Sequence, residues 1–174
     1  MNRVSKMLLS AVWLPAIWLT ANVSAQVSEA VAERNHKVIA TLHAEGIQIY
    51  ECKVDPGQSP SEVHALTWQF REPIAALFAD GKSIGRHYAG PNWDHIDGSG
   101  VKAKVIASTP GASPRDISWL DLDVVDHRGN GLLSDAVTVQ RVNTRGGVAS
   151  GSCEGAGSYL SVPYAADYVF WRRS

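Results

Sequence analysis

Between Gly85 and Asp97 the chain reads Gly-Arg-His-Tyr-Ala-Gly-Pro-Asn-Trp-Asp-His-Ile-Asp, its densest run of chemically capable side chains. Imidazole nitrogen and carboxylate oxygen suit zinc, copper or non-haem iron, so His87, Asp94 and His95 are candidate metal ligands. Asp97 stands close by, and Asp126 and His127 offer to join from a later turn. The run contains no HxH, HExxH or cysteine cluster, and His or Asp in a loop also caps its own backbone. A second chemistry is hydrolysis, with His87 or His95 as general base, Asp94 or Asp97 orienting it, and Ser83 or Ser99 as nucleophile. That requires nucleophile and base within hydrogen-bond reach, which sequence spacing does not supply, and no strand-to-helix nucleophile elbow is expected.

A third chemistry is non-covalent. Tyr88, Trp93 and Trp119 present flat faces beside polar neighbours, and Arg86, Asn92, Asp94 and Arg145 offer hydrogen bonds. Such a set stacks on sugar rings or other flat ligands. Arg86, His87, Tyr88, Trp93, Asp94, His95 and Arg145 are therefore the candidate ligand-binding residues. An indole such as Trp93 also serves as a simple lid on the end of a β-fold, and Trp68, Tyr168 and Phe170, which alternate with polar positions, belong to the core. Arg145-Gly146-Gly147 either offers backbone N–H groups to an anion or permits positive φ in a hairpin. Arg141 shares a face with Val137 and Val139, where a charge needs a carboxylate or carbonyl partner.

The elements that must position these residues are mostly strands. Val27–Leu42 carries a partial helical stripe (Ala30, Val31, Val38, Ile39, Leu42) that stops at Gly46, so a short N-terminal helix is expected. From Ile47 the period changes to two. Ile47–Lys53, Leu66–Arg71, Ser83–Tyr88, Val101–Val105, Leu120–Val124, Val137–Val142 and Tyr164–Trp171 read as strands, with a short apolar run at Ile74–Phe78. Glu72-Pro73 is read as a strand end and Asp80-Gly81 as a tight turn. The Gly85–Asp97 run itself, with Gly90-Pro91 in its middle and Asp97-Gly98 at its end, reads as a long loop between strands. About eight short strands with regular turn signals and no intervening helices predict one mainly antiparallel domain, a β-sandwich or partly open barrel.

Composition and cysteine usage give the compartment. Arg3 and Lys6, the apolar run Met7–Leu19 and Val23-Ser24-Ala25 form a secretory signal-peptide pattern over residues 1–25, an uncleaved anchor helix being the other reading. Export places residues 26–174 in the periplasm or outside the cell. Removing residues 1–25 takes two of the 16 basic residues and none of the 17 acidic ones, leaving a formal charge of −3. Mild acidity points away from nucleic acid, which calls for a basic face, and no later segment is apolar enough for membrane insertion. Cys52 and Cys153, the two cysteines, most simply form one disulfide in an oxidising compartment. The alternative, a reactive thiol pair, has neither a CxxC spacing nor an evident helix N-terminus.

Five runs taken together resemble a known family. They are His43-Ala44-Glu45-Gly46-Ile47-Gln48-Ile49-Tyr50-Glu51-Cys52, Phe70-Arg71-Glu72-Pro73, Gly85-Arg86-His87-Tyr88-Ala89-Gly90-Pro91, Gln140-Arg141-Val142-Asn143-Thr144-Arg145-Gly146-Gly147 and Pro163-Tyr164-Ala165-Ala166-Asp167-Tyr168-Val169-Phe170. The chain is similar, over nearly all of its mature part, to the exported bacterial and fungal family known as domain of unknown function 3455. The resemblance implies a secreted single domain with this cysteine pair, and it implies no activity. Dehydrogenase names borne by some fungal relatives find no support here, since no GxGxxG follows a strand, and no nicotinamide cofactor is expected. The expected function is an exported binding module for a small or carbohydrate-like ligand. The alternatives are a metal- or His/Asp-dependent enzyme and an envelope protein that contacts another protein.

Overall fold

The computed structural model describes residues 35–54 and 65–174; the signal-peptide reading of 1–25 lies outside them. Eight strands follow one another: β1 (His36–Val54), β2 (Leu66–Ala79), β3 (Lys82–Tyr88), β4 (Asn92–His95), β5 (Gly100–Thr109), β6 (Trp119–Arg128), β7 (Thr138–Gly146) and β8 (Tyr159–Arg173). Each pairs antiparallel with the next, and β8 pairs back along β1 from Arg173 opposite His36 to Tyr159 opposite Glu51. The fold is thus mainly β and antiparallel, as the alternation predicts, but it is a closed barrel rather than two stacked sheets. The inward/outward alternation of a strand is the same in both architectures. The long seam between the first and last strands decides for closure, so that each of the eight described strands has a neighbour on both sides.

Three local expectations are corrected. The described part of the Val27–Leu42 stretch, from His36 onward, is strand rather than helix. Leu42 and Ala44 are buried while Thr41, His43 and Glu45 are exposed, so the period is two, and pairing to β8 outweighs the partial helical stripe; residues 27–34 lie outside the described part. Glu72-Pro73 does not end β2, which runs on to Ala79. β2 is paired to β3 only from Ala75 onward, so Pro73 sits where one side of the strand needs no N–H donor. The long loop shrinks to Ala89–Pro91, because Lys82–Tyr88 and Asn92–His95 pair as a hairpin with His87 opposite Trp93 and Arg86 opposite Asp94. The Asp80-Gly81 turn is as expected, both residues having positive φ (49° and 72°).

The inner wall is packed at one end. Leu42, Leu77, Val101, Leu122, Val139 and Phe170 are buried in a single core, and Leu133 and Ala136, from the β6–β7 connection, close the end below them. At the same end Asp97 accepts hydrogen bonds from the Ser99 N–H (2.8 Å), the Ser99 hydroxyl (2.6 Å) and the Leu132 N–H (2.7 Å), tying the β4–β5 turn to that plug. The His127 Nε2–H donates to the Ala136 carbonyl (2.7 Å) from the other side. At the opposite end Cys52 and Cys153 form a disulfide, with Cα atoms 5.9 Å apart across 101 positions of sequence. Trp68, opposite Cys52 on β2, is half-buried at that rim and is not part of the core, since no facing wall covers it there.

Candidate functional site

The two-residue period of the β3–β4 hairpin divides the candidate residues between the two faces of the barrel wall. His87 and Trp93 point inward and stack on each other, ring centroids 4.5 Å apart and planes 13° from parallel. Tyr168 leans on both, 4.8 Å from His87 and 5.2 Å from Trp93. Arg86 and Asp94 lie on the outer wall, where Arg86 Nε and Nη2 donate to Asp94 Oδ2 (3.0 and 2.9 Å) and Arg86 covers the Tyr88 ring at 4.9 Å. Arg128 pairs with the other Asp94 oxygen. Burial of Asp94 works against its charge, but the hydrogen bond from Arg86 and the charge of Arg128 outweigh it and hold the carboxyl below its usual range.

His95 sits at the plugged end with its Nδ1 3.0 Å from Asp97 Oδ2, and Arg145 is exposed on β7 opposite Ala165. Asp97 itself is held well below the usual carboxylate range, first by the Leu132 N–H and then by Ser99. The seven candidates therefore do not converge. His87 is separated from Asp94 by the barrel wall, His95 lies at the plugged end beside Asp97, and among the described residues no group of three or more His, Cys, Asp and Glu side chains is placed to hold a metal ion. The candidate nucleophiles are also apart from His87. Ser99 is hydrogen-bonded to Asp97 at the plugged end. Ser83 lies exposed on β3, and although Gly81-Lys82-Ser83-Ile84-Gly85 has the spacing of a nucleophile elbow, a hairpin turn precedes it and strand follows, with no helix. Trp119 is buried next to, and not on, the cavity wall.

The inward pair forms the floor of a cavity of about 450 Å³ at the disulfide end of the barrel. Above His87, Trp93 and Tyr168 its walls are Gln48 and Tyr50 of β1, Leu120 and Leu122 of β6 and Arg141 of β7. Phe70, Pro91, Val105 and Val148 form its rim, and Ile117, Ser118 and Asp116 come from the β5–β6 connection. Alternation places these residues. Gln48 and Tyr50 continue the inward series of Leu42 and Ala44, and Arg141 continues that of Val139, opposite Leu120 and Tyr168. Gly147, with φ 89°, lets the chain pass close by: a Cβ there would stand 2.8 Å from Ile117 and 2.9 Å from Tyr164, and its carbonyl accepts the Tyr50 hydroxyl at 2.6 Å.

The charged side chains on the cavity lining are Arg71, Asp116 and Arg141. Burial pushes the His87 imidazole down to about 3, against the opposing effect of its bond to Asn92. The ring is thus neutral at physiological pH, and because Nδ1 lies 2.9 Å from the Asn92 carbonyl it carries its proton there, leaving Nε2 as an acceptor. Burial also raises Tyr50, Tyr164 and Tyr168, with the positive charge of Arg141 opposing it at each. Arg141 Nε donates to the Ser118 carbonyl (2.9 Å), the kind of partner expected for it, and its remaining N–H groups have no ion-pair partner among the described residues. Among the described residues the buried Gln48 Nε2 has no hydrogen-bond partner, and the Tyr164 and Tyr168 hydroxyls face each other, with Arg141 beside Tyr168, without completing a hydrogen bond. Sequence reasoning missed Gln48, Tyr50 and Leu120 as site residues, although their inward parity was readable along each strand.

A family model described as "Protein of unknown function (DUF3455)" matches residues 32–172. No curated protein and no solved structure matches the chain.

Proposed function

We propose that this chain, which belongs to the family described as protein of unknown function DUF3455, is an exported binding module whose barrel mouth takes one small ligand with a mostly apolar body. The observation that carries the reading is the 450 Å³ cavity at one end of a barrel whose other end is packed and plugged. Eight-stranded barrels have room either for side chains alone or for one small ligand, and small-molecule sites span roughly 300–1,000 Å³. Export rests on the signal-peptide pattern of residues 1–25 and on the Cys52–Cys153 bridge, which suits an oxidising compartment.

The lining narrows the ligand. Phe70, Pro91, Val105, Ile117, Leu120, Leu122 and Val148 offer apolar surface, whereas a sugar would need hydroxyl partners on most sides. A flat or chain-like apolar molecule with one polar end fits better than a glycan. The neutral, weakly basic His87 on the floor is a poor general base, and neither Ser83 nor Ser99 lines the cavity, which favours binding over hydrolysis. The test is thermal unfolding with a panel of small aromatic and aliphatic compounds, on the wild type and on Leu120→Trp, whose indole would occupy the cavity. A ligand at about 100 times its Kd adds about 2.7 kcal/mol, a rise of roughly 5 °C or more for a domain of this size. The expected result is such a rise in the wild type and none in Leu120→Trp. A panel that shifts neither protein, or both equally, refutes the site.

A further inference from the structure

We infer that the ligand of the barrel mouth is a monoanion, a carboxylate on an apolar body, received by the guanidinium of Arg141. The inference rests on the binding reading above and adds the charge and chemical class of the ligand. Arg141 projects from β7 into the cavity between Leu120 and Tyr168. Three other arginines of the barrel, Arg71, Arg86 and Arg128, each meet a carboxylate. Arg141 meets no carboxylate among the described residues: its Nε donates to the Ser118 carbonyl, its side chain faces the Tyr168 hydroxyl, and its charge acts on the four rings around it, those of Tyr50, His87, Tyr164 and Tyr168. A charge withdrawn from water beside apolar side chains is costly unless it is paired.

The neighbouring polar groups are of the kind that an anion would satisfy. Among the described residues Gln48 Nε2 is a donor without a partner, and the hydroxyls of Tyr164 and Tyr168, which face each other beside Arg141, complete no hydrogen bond; all three residues are more than nine-tenths buried. Buried polar groups left without partners are rare in native proteins and point to a missing ligand or water. Asp116, the carboxylate on the cavity wall, is held ionised by the Gly146 N–H at 2.7 Å and by Ser113, and it forms no ion pair with Arg141 among the described residues.

The number of charges sets the class. The floor adds no second cation, since His87 is neutral with its Nδ1–H engaged by Asn92, and the other guanidinium on the lining, Arg71, is already paired with Glu51 and Glu72. One guanidinium balances one negative charge, and its fork of N–H groups matches the two oxygens of a carboxylate. A phosphate dianion would bring a second charge and further oxygens against Val105, Leu120 and Leu122, which offer no donors.

The experiment uses the folded, disulfide-bonded protein and four probes of matched shape, cinnamate and decanoate with their methyl esters, plus inorganic phosphate. Binding is read by tryptophan fluorescence, Trp93 lying on the cavity floor, and by thermal shift. In the wild type the acids are expected to bind about tenfold or more tightly than the esters, and phosphate not to compete. In Arg141→Met, which keeps the side-chain length and removes the charge, acid binding falls to the level of the esters while ester binding persists. Arg141→Lys retains part of the preference. Equal affinity for acids and esters in the wild type, an undiminished preference in Arg141→Met, or displacement of the acids by phosphate overturns the inference and leaves the cavity reading standing. No binding of acid or ester removes the cavity reading and this inference with it. Should Arg141→Met not fold, the acid-against-ester comparison in the wild type decides alone.

Discussion

The imidazole of His87 is enclosed by the rings of Trp93 and Tyr168 and anchored to the Asn92 carbonyl. Its basicity is therefore reduced, to about 3 against an ordinary 6.5. Between those values the unfolded chain binds a proton that the folded one does not, so stability falls as pH falls through this window. The expected loss is about 2 kcal/mol between pH 7 and pH 5. Urea unfolding at both pH values checks it: His87→Phe, which keeps the stack and cannot titrate, should lose much less over the same interval. Identical pH dependence in the two proteins counts against a buried neutral His87. At this scale the sequence was partly legible. The run Gly85–Asp97 singled out His87 and Trp93, but their neighbours Arg86, Tyr88 and Asp94 alternate to the other face, so nearness along the chain was not nearness in space.

At the scale of elements, the turn after β4 and the connection before β7 are held together by two side chains, Asp97 and Ser99. Asp97 takes the Ser99 and Leu132 N–H groups, and Ser99 Oγ in turn accepts the Leu133 N–H at 3.1 Å, directly beneath the buried Leu133 side chain. Asp97→Ala leaves these donors without their acceptor and frees the plug. Amide hydrogen exchange at Leu132 and Leu133 should speed up by about tenfold or more, while exchange in the β1–β8 seam stays unchanged. An unaltered Leu132 amide would show that the plug is held by packing alone. The strands themselves were largely legible, because alternation is a local signal. Their ends were less so: Pro73 marks a turn when read alone and sits within β2 because its edge there needs no donor, and β1 begins earlier than its own residues suggest because β8 supplies a partner.

For the whole molecule, the disulfide ties β1 to the connection before β8, the two strands that close the ring. It joins residues 101 apart, so its loss gives the unfolded chain much more freedom. The double variant Cys52→Ala/Cys153→Ala is expected to lose roughly 2–5 kcal/mol and about 10 °C in Tm, measured by calorimetry against the oxidised wild type. Both cysteines lie at the mouth end, so ligand affinity should fall with stability in this variant more than in Asp97→Ala, where the opposite end is disturbed. Equal affinities in the two variants would show that the rim does not depend on the bridge.

Composition, the period of two and the turn residues were enough to establish a mainly antiparallel β-fold and to pair Cys52 with Cys153, because these depend on local preferences and on there being only two cysteines. Whether the ribbon folded into two layers or one ring depended on contacts between its first and last strands, which no local pattern encodes. The same closure selected the site. It brought Gln48, His87, Leu120, Arg141 and Tyr168 from five strands onto one inner wall. Which side chains share a cavity is a property of register between strands distant in sequence, so only the tertiary structure could assemble that set.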